Sequence, residues 1–330
     1  MRLGALLFAL LIALASIPII TANAEVNAIP LEGTSPASIS IDGDVGDWGT
    51  YTCTSSNTYV YATINGIPQW IWCDDVRDER TDFSTPDPRA DLVQFRVTAN
   101  STHLLLLYVF NYMSNTYIGD DGATFIALTI NRNGEGSGTW FAGESETQVN
   151  TNYAKWAYQV VVNLADSRYR GQGLKSGVFD LTQNWGGILY IVDSSWSFVS
   201  GSGAAVGVSI SQNSVEVAVP WGMIGGTPSG GSFYLRLSLI TARGWSNFNG
   251  NSGGAWDIFG SSDALDAMTD KGPNTWDEVG DGVVDYYADV YFTTSPPFYP
   301  IPEPGIVALI ASGGGVGGLF YVLRRRKLFK

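Results

Sequence analysis

Short runs of β-branched and aromatic residues recur along this chain, each closed by glycine, asparagine, serine or aspartate. They read "TYVYATI", "DLVQFRVTA", "HLLLLYVFNYM", "ATFIALTIN", "AKWAYQVVVNL", "GILYIVD", "AVGVSIS", "SVEVAVP", "FYLRLSLITA" and "YYADVYF". Such side chains pack well on a pleated, half-buried surface, so each run predicts a strand. Alternation is plain in "VQFRV", where Val93, Phe95 and Val97 share one face and Gln94 and Arg96 the other. "SQNS" between "VSI" and "VEVAV" predicts a hairpin turn. Only "SSDALDAMTD" reads as a short helix, with Ser262 or Asp263 as its N-cap. Many strands joined by short turns predict an all-β fold. The expected form is a single antiparallel β-sandwich of jelly-roll or immunoglobulin-like class over residues 25–294.

Both ends of the chain differ from this body. Residues 1–24 have the parts of a secretory signal: Arg2, the apolar stretch "LGALLFALLIALASIPII", then "TANA" with Ala22 and Ala24 as small residues before cleavage at Ala24–Glu25. At the far end, "SPPFYPIPEP" (295–304) is a proline-rich stalk that favours extended backbone. Residues 305–323 carry no charge, and as a helix they just reach the roughly 30 Å of a bilayer core. The five glycines Gly313, Gly314, Gly315, Gly317 and Gly318 weaken a helix in water but are tolerated in lipid. Residues 324–330 begin with Arg324, Arg325, Arg326 and Lys327, which the positive-inside rule keeps cytoplasmic. A C-terminal transmembrane helix is therefore expected, with the body exported and tethered at the cell surface. The order Pro302-Glu303-Pro304, apolar helix, arginine-rich end resembles the PEP-CTERM sorting signals of bacterial surface proteins and the analogous archaeal tails. That resemblance implies processing by an exosortase- or archaeosortase-type membrane transpeptidase. Gly305 stands where those signals carry a hydroxyl residue.

Of the 18 Lys and Arg, Arg2 and five tail cations lie outside residues 25–304, leaving 12 against 31 Asp and Glu; 12 minus 31 gives −19. So acidic a body repels nucleic acid and anionic lipid, and fits cation binding, neutral glycans or plain solubility. Its only cysteines, Cys53 and Cys73, predict a disulfide in an exported chain. Asn100-Ser101-Thr102 is an N-glycosylation sequon.

Longer stretches carry a second resemblance. "ISIDGDVGDWG", Ile39 to Gly49, resembles the opening of family-nine carbohydrate-binding modules: an apolar strand, Asp-Gly, then Asp-Trp. "DDVRDERTDFSTPDPRADLVQFRVTANSTHLLLLYVF" resembles the glucodextranase C-terminal, DOMON-like domains, with an Asp-rich loop before two strands. "VEVAVPWGMIG", Val215 to Gly225, matches their Glu-x-apolar-x-apolar-Pro-Trp turn, and "FYLRLSLITARG" stands where the next core strand belongs. The matches span most of residues 37–292. They imply a carbohydrate-binding sandwich, a class in which structural calcium is common. Glu216 faces away from Val215, Val217 and Val219, so a turn or cation is its expected partner. Trp48 and Trp221 are expected in the core.

Three acidic clusters are candidate calcium ligands, because calcium takes six to eight hard oxygens that turns between strands can supply. They are Asp42, Asp44 and Asp47; Asp74, Asp75, Asp78, Glu79 and Asp82; and Asp281, Asp285 and Asp289. Arg77 and Arg80 sit inside the second and compete for its acids. Exposed tryptophans offer faces for sugar rings; Trp70 and Trp72 share one strand face, and Trp185, Trp196 and Trp245 lie in Gly- and Ser-rich loops. Catalysis finds little support. His103 is the one histidine, so a Ser-His-Asp triad or a histidine-rich zinc site would rest on that residue alone. A carboxylate pair for glycoside hydrolysis needs only two acids at a suitable spacing, and nothing in the sequence selects them.

The expectation is a non-catalytic carbohydrate-binding protein of the cell surface, with polysaccharide or envelope components as partners and structural calcium as the cofactor. The alternatives are a structural cell-envelope or filament (S-layer-like) subunit, an accessory to α-glucan-acting enzymes, and a haem-binding electron-transfer domain using His103 and Met113. The processing expectation is checked by intact mass of protein extracted from the cell surface. The mature chain starts at Glu25, and a mass that retains Met1 contradicts this.

Overall fold

The computed structural model describes residues 27–31, 39–53, 58–78, 91–113, 124–142, 147–164, 176–185, 187–227, 231–243, 264–268 and 282–294. The expected signal segment, stalk, membrane helix and basic tail lie outside these. Among the described residues, no helix is long and apolar enough to cross a membrane.

The described residues form sixteen strands. In chain order they begin β1 (Ile29–Pro30), β2 (Thr58–Ile64), β3 (Ile67–Cys73), β4 (Leu92–Ala99), β5 (His103–Phe110) and β6 (Thr124–Arg132). Next come β7 (Gln148–Val149), β8 (Tyr158–Asn163), β9 (Gly177–Asp180), β10 (Leu189–Asp193) and β11 (Ala205–Ser209). The last are β12 (Ser214–Pro220), β13 (Ser232–Arg243), β14 (Ala264–Ala267), β15 (Val283–Val284) and β16 (Ala288–Thr293). All ten runs read as strands in the sequence contain one. The stretch read as a helix does not behave as expected: Ala264–Ala267 is a strand, paired antiparallel with β13 beyond a register shift at Thr241/Ala242. Its alanines and leucine have helix propensity, but pairing and full burial on β13 outweigh it.

One seven-stranded sheet has the order β2-β3-β4-β5-β12-β11-β9 and is antiparallel throughout. The other has the order β1-β16-β13-β6-β8-β10, with β14 on β13, and is antiparallel except for β1 on β16. A small parallel pair joins β7 to β15. Side chains of both large sheets share one buried cluster: Leu104, Leu106, Tyr108, Val215, Val217 and Val219 from the first, and Ile126, Leu128, Leu235, Leu237, Val290 and Phe292 from the second. Trp221 is buried with Phe233 and Phe292, its Nε1 donating to the Asn100 carbonyl at 2.8 Å.

Each sheet is also covered on its other face, which explains the unbroken apolar run of β5. Leu104 and Leu106 enter the shared cluster, while Leu105 and Leu107 pack with Trp48 and Ala218 beneath residues 39–49. Buried polar side chains hold this cover down. Glu216 of β12 accepts from Gly43 N at 2.6 Å, Asp42 N at 3.0 Å and Trp48 Nε1 at 2.7 Å. Gln69 of β3 donates to Trp48 O at 3.1 Å, and Arg96 of β4 donates to Gly49 O at 2.7 Å. Burial pushes the Glu216 carboxyl up to about 7, against the three N–H donors that favour its ionised form. The contact is close: a Cβ on Gly43, at φ +86°, would lie 2.6 Å from Ser209 N, and one on Gly207 would lie 2.6 Å from Gly43 N. On the second sheet, Phe125, Val161, Tyr190 and Ile240 pack under Phe141, Ala154 and Trp156, and Gln159 binds Ala142 N and Trp140 O.

Cys53 and Cys73 form a disulfide, tying the end of this cover to the last residue of β3. A bridge with a sequence separation of 20 restricts the unfolded chain, an effect of about 3 kcal/mol. The double Cys53→Ser/Cys73→Ser chain therefore loses about 3 kcal/mol of unfolding free energy in denaturant titration, as the parent does under reductant. An unchanged midpoint in both contradicts the structural role.

Candidate functional site

Beyond Cys73 the chain leaves β3 and enters the second acidic cluster. Asp74, Asp78 and Asp266 each offer a carboxylate oxygen, and these lie within 4.8 Å of one another. Two of the acids follow β3 of the first sheet, and the third sits on β14 of the second. The residues are 4%, 5% and 0% exposed, respectively, so the cluster is buried in a way that single carboxylates rarely are. Asp266 joins the sheets, its Oδ2 accepting from Leu92 N of β4 at 2.7 Å and its Oδ1 from Ala267 N at 2.8 Å. Asp74 Oδ1 accepts from Asp75 N at 3.0 Å, whereas Asp74 Oδ2 and both oxygens of Asp78 have no hydrogen-bond partner among the described residues. Buried Asp91 borders the cluster, its Oδ2 accepting from Arg77 N at 2.9 Å and Asn111 Nδ2 at 2.7 Å. These bonds fix the turn that carries Asp78. Burial, then the negative charges of Asp266 and Asp78, hold the Asp74 carboxyl well above the usual range. Burial, then Asp266 and Asp91, push Asp78 up to about 9.

Of the expected ligands in this cluster, Asp74 and Asp78 converge, Asp75 is half-buried beside them, and Asp82 lies outside the described residues. Asp91 and Asp266 were not expected. Asp91 opens the strand run "DLVQFRV", and Asp266 is far along the chain in a stretch read as helix, so only the pairing of β14 brings it in.

The other two clusters do different work. Asp42 and Asp44 are exposed; Asp42 Oδ1 accepts from Asp44 N, Asp44 Oδ1 from Gly46 N, and Asp47 Oδ2 from Ser40 N. Hydrogen bonds from Gly46 and Gln212 lower the Asp44 carboxyl. This cluster therefore shapes the covering turn and does not converge on one point. In the third, Asp289 pairs with Arg236 through two bonds of 2.7 and 2.8 Å, and Asp285 accepts from Asn150 Nδ2.

The expected aromatic sites divide. Trp72 is 1% exposed in the shared core with Phe95 and Tyr286, and Trp70 stacks on Tyr59 at 4.6 Å against the same core. Their shared strand face points inward, so they offer no platform. Trp185 and Trp196 are 36% and 38% exposed. They lie 6.2 Å apart, with Trp185 also against Phe198 at 4.6 Å and Tyr190 at 5.4 Å, and Trp196 edge-on to buried Trp156 at 5.3 Å. The result is an aromatic ledge beside β10, the last strand of its sheet. Phe179, Asp180, Leu181, Thr182 and Ile188 line a cleft of about 220 Å³, and the loop between Thr182 and Ile188 carries Trp185. Trp245 lies outside the described residues.

His103 opens β5 and Met113 follows its end. The eight residues of β5 span roughly 24 Å; His103 pairs with Pro220 at one end of β12 and Met113 N donates to Asn213 Oδ1 at the other, so the two do not meet on one haem. Asn100 uses its side-chain oxygen to accept from Thr102 N, Thr102 Oγ1 and His103 N, shaping the turn into β5. Compared with models of known protein families and with curated proteins, the chain gives no match.

The two kinds of tryptophan separate by stability. Trp156→Ala removes a fully buried ring and lowers unfolding free energy by about 3–5 kcal/mol. Trp185→Ala on the open ledge changes it by about 1 kcal/mol or less in the same denaturant titration. Equal losses contradict the assignment of Trp185 to a surface.

Proposed function

We propose that this is an exported, membrane-tethered cell-surface protein whose two large sheets pack as one β-sandwich of jelly-roll or immunoglobulin-like class, and which binds carbohydrate without a reaction of its own. The observation that carries the reading is the ledge of Trp185, Trp196 and Phe198, whose Trp185 follows in sequence from Thr182 in the wall of a cleft. Ring faces left in water at a sheet edge suit the apolar faces of sugar rings, and rigid aromatics lose little entropy on binding. Asp180 and Thr182 in the cleft wall supply hydroxyl partners. The resemblance to family-nine and DOMON-like domains supports the same ligand class, and the signal, stalk and basic tail support the surface location.

A second reading, an envelope or filament subunit, draws on β2 and β9, the terminal strands of the first sheet. Open strand edges pair with other chains. Copies of this protein in an ordered surface lattice, seen by electron microscopy, favour it.

The carbohydrate reading is tested by a glycan array followed by titration with the best polysaccharide. Replacing Trp185 or Trp196 by alanine weakens binding by roughly 30-fold, the effect of losing a central aromatic anchor of about 2 kcal/mol. An array without a saccharide ligand, run with calcium present, defeats the reading.

A further inference from the structure

The acids between the two sheets call for a partner that the described residues do not supply. Asp74, Asp78 and Asp266 come from a turn of one sheet and a strand of the other, yet their oxygens converge within 4.8 Å. Like charges this close in a poorly hydrated interior repel strongly. Asp78 is 95% buried, judged by its 5% exposure, and neither of its oxygens accepts a hydrogen bond; nor does Asp74 Oδ2. Other buried side-chain atoms also lack a partner, Tyr108 Oη and Trp156 Nε1 among them, but these three are carboxylate oxygens of a converging group, where an unpaired charge is costliest, so they mark a missing ligand.

We propose that Asp74, Asp78 and Asp266 bind one divalent cation, of the calcium class, that fastens the end of β3 to β14 across the two sheets. The donor set is all carboxylate oxygen, which selects a hard cation over zinc or copper. Calcium–oxygen distances of about 2.3–2.6 Å put opposite ligands close to 5 Å apart, which accommodates the observed spread. Magnesium holds shorter distances, near 2.1 Å, and keeps several waters, which suits open sites better than a buried one. Asp91 is a positioning residue: by accepting from Arg77 N and Asn111 Nδ2 it sets the turn that aims Asp78 inward. The site goes beyond the carbohydrate reading and does not rest on it. Calcium binding without saccharide binding sinks that reading alone.

The test uses the full chain, stripped with EDTA and titrated with CaCl2, with MgCl2 and ZnCl2 as comparisons. One calcium binds per chain, and the melting midpoint rises by roughly 5–10 °C at saturating CaCl2. Asp78→Asn and Asp266→Asn each weaken calcium binding at least tenfold, while Asp75→Asn, just outside the converging set, retains it. Should Asp78→Asn fail to fold, Asp74→Asn carries the same arm, and the titration of the unaltered chain still decides. No bound calcium by elemental analysis and no rise in midpoint with CaCl2 overturns the proposal. Magnesium or zinc binding as tightly as calcium overturns the assignment of the ion.

Discussion

The hydrogen bonds that buried polar side chains make to covering segments hold this molecule in its observed form. Each large sheet gives one face to the shared apolar interior and would leave the other to water. Instead that face is covered, and the polar residues trapped beneath require partners, because an unpaired buried polar group costs about 1–3 kcal/mol. Gln69, Arg96 and Glu216 find theirs in the backbone and indole of residues 42–49. Gln159 finds its own in Trp140 and Ala142. The covers are thus specified by pairing as well as by apolar contact, and the Cys53–Cys73 bridge fixes the end of one of them.

The acids between β3 and β14 follow the same rule with a different partner. Asp266 already satisfies backbone donors of both sheets, and Asp91 steadies the turn opposite. Asp78 has no such donor among the described residues. In the proposed site a cation supplies to this corner what backbone N–H groups supply to Glu216. Asp74 follows the disulfide-bonded Cys73 directly, so such an ionic tie would stand next to the covalent one. The aromatic ledge, by contrast, flanks β10 on the opposite border of its sheet from β1, where rings remain open to solvent.

Much of the fold was legible because strand formation here is local: β-branched runs and turn residues mark the long strands except β3, whose run "IPQWIWC" carries Pro68 and is not among the runs read as strands. Alternation in "VQFRV" separates Phe95 and Val97 from Gln94 and Arg96, but it assigns the polar pair to solvent. Burial of Arg96 depends on Gly49 arriving from far along the chain. "ALDA" is composed of helix-compatible residues and becomes a strand only because β13 is long enough to offer it an edge. The site was legible in the same measure. Asp74 and Asp78 stand out as neighbours in sequence, while Asp266 enters through that unforeseen pairing. Trp72 and Trp196 look alike in composition, and a sequence does not record which face of a strand the second sheet will cover.

The central claim is that the converging carboxylates of Asp74, Asp78 and Asp266 share one partner, and that this partner is calcium. It is tested most directly by a crystal structure grown with CaCl2 and measured for anomalous scattering. The account predicts one calcium peak bonded to oxygens of all three aspartates at about 2.3–2.6 Å. Carboxyl groups paired with one another through shared protons, with no ion between them, would contradict it.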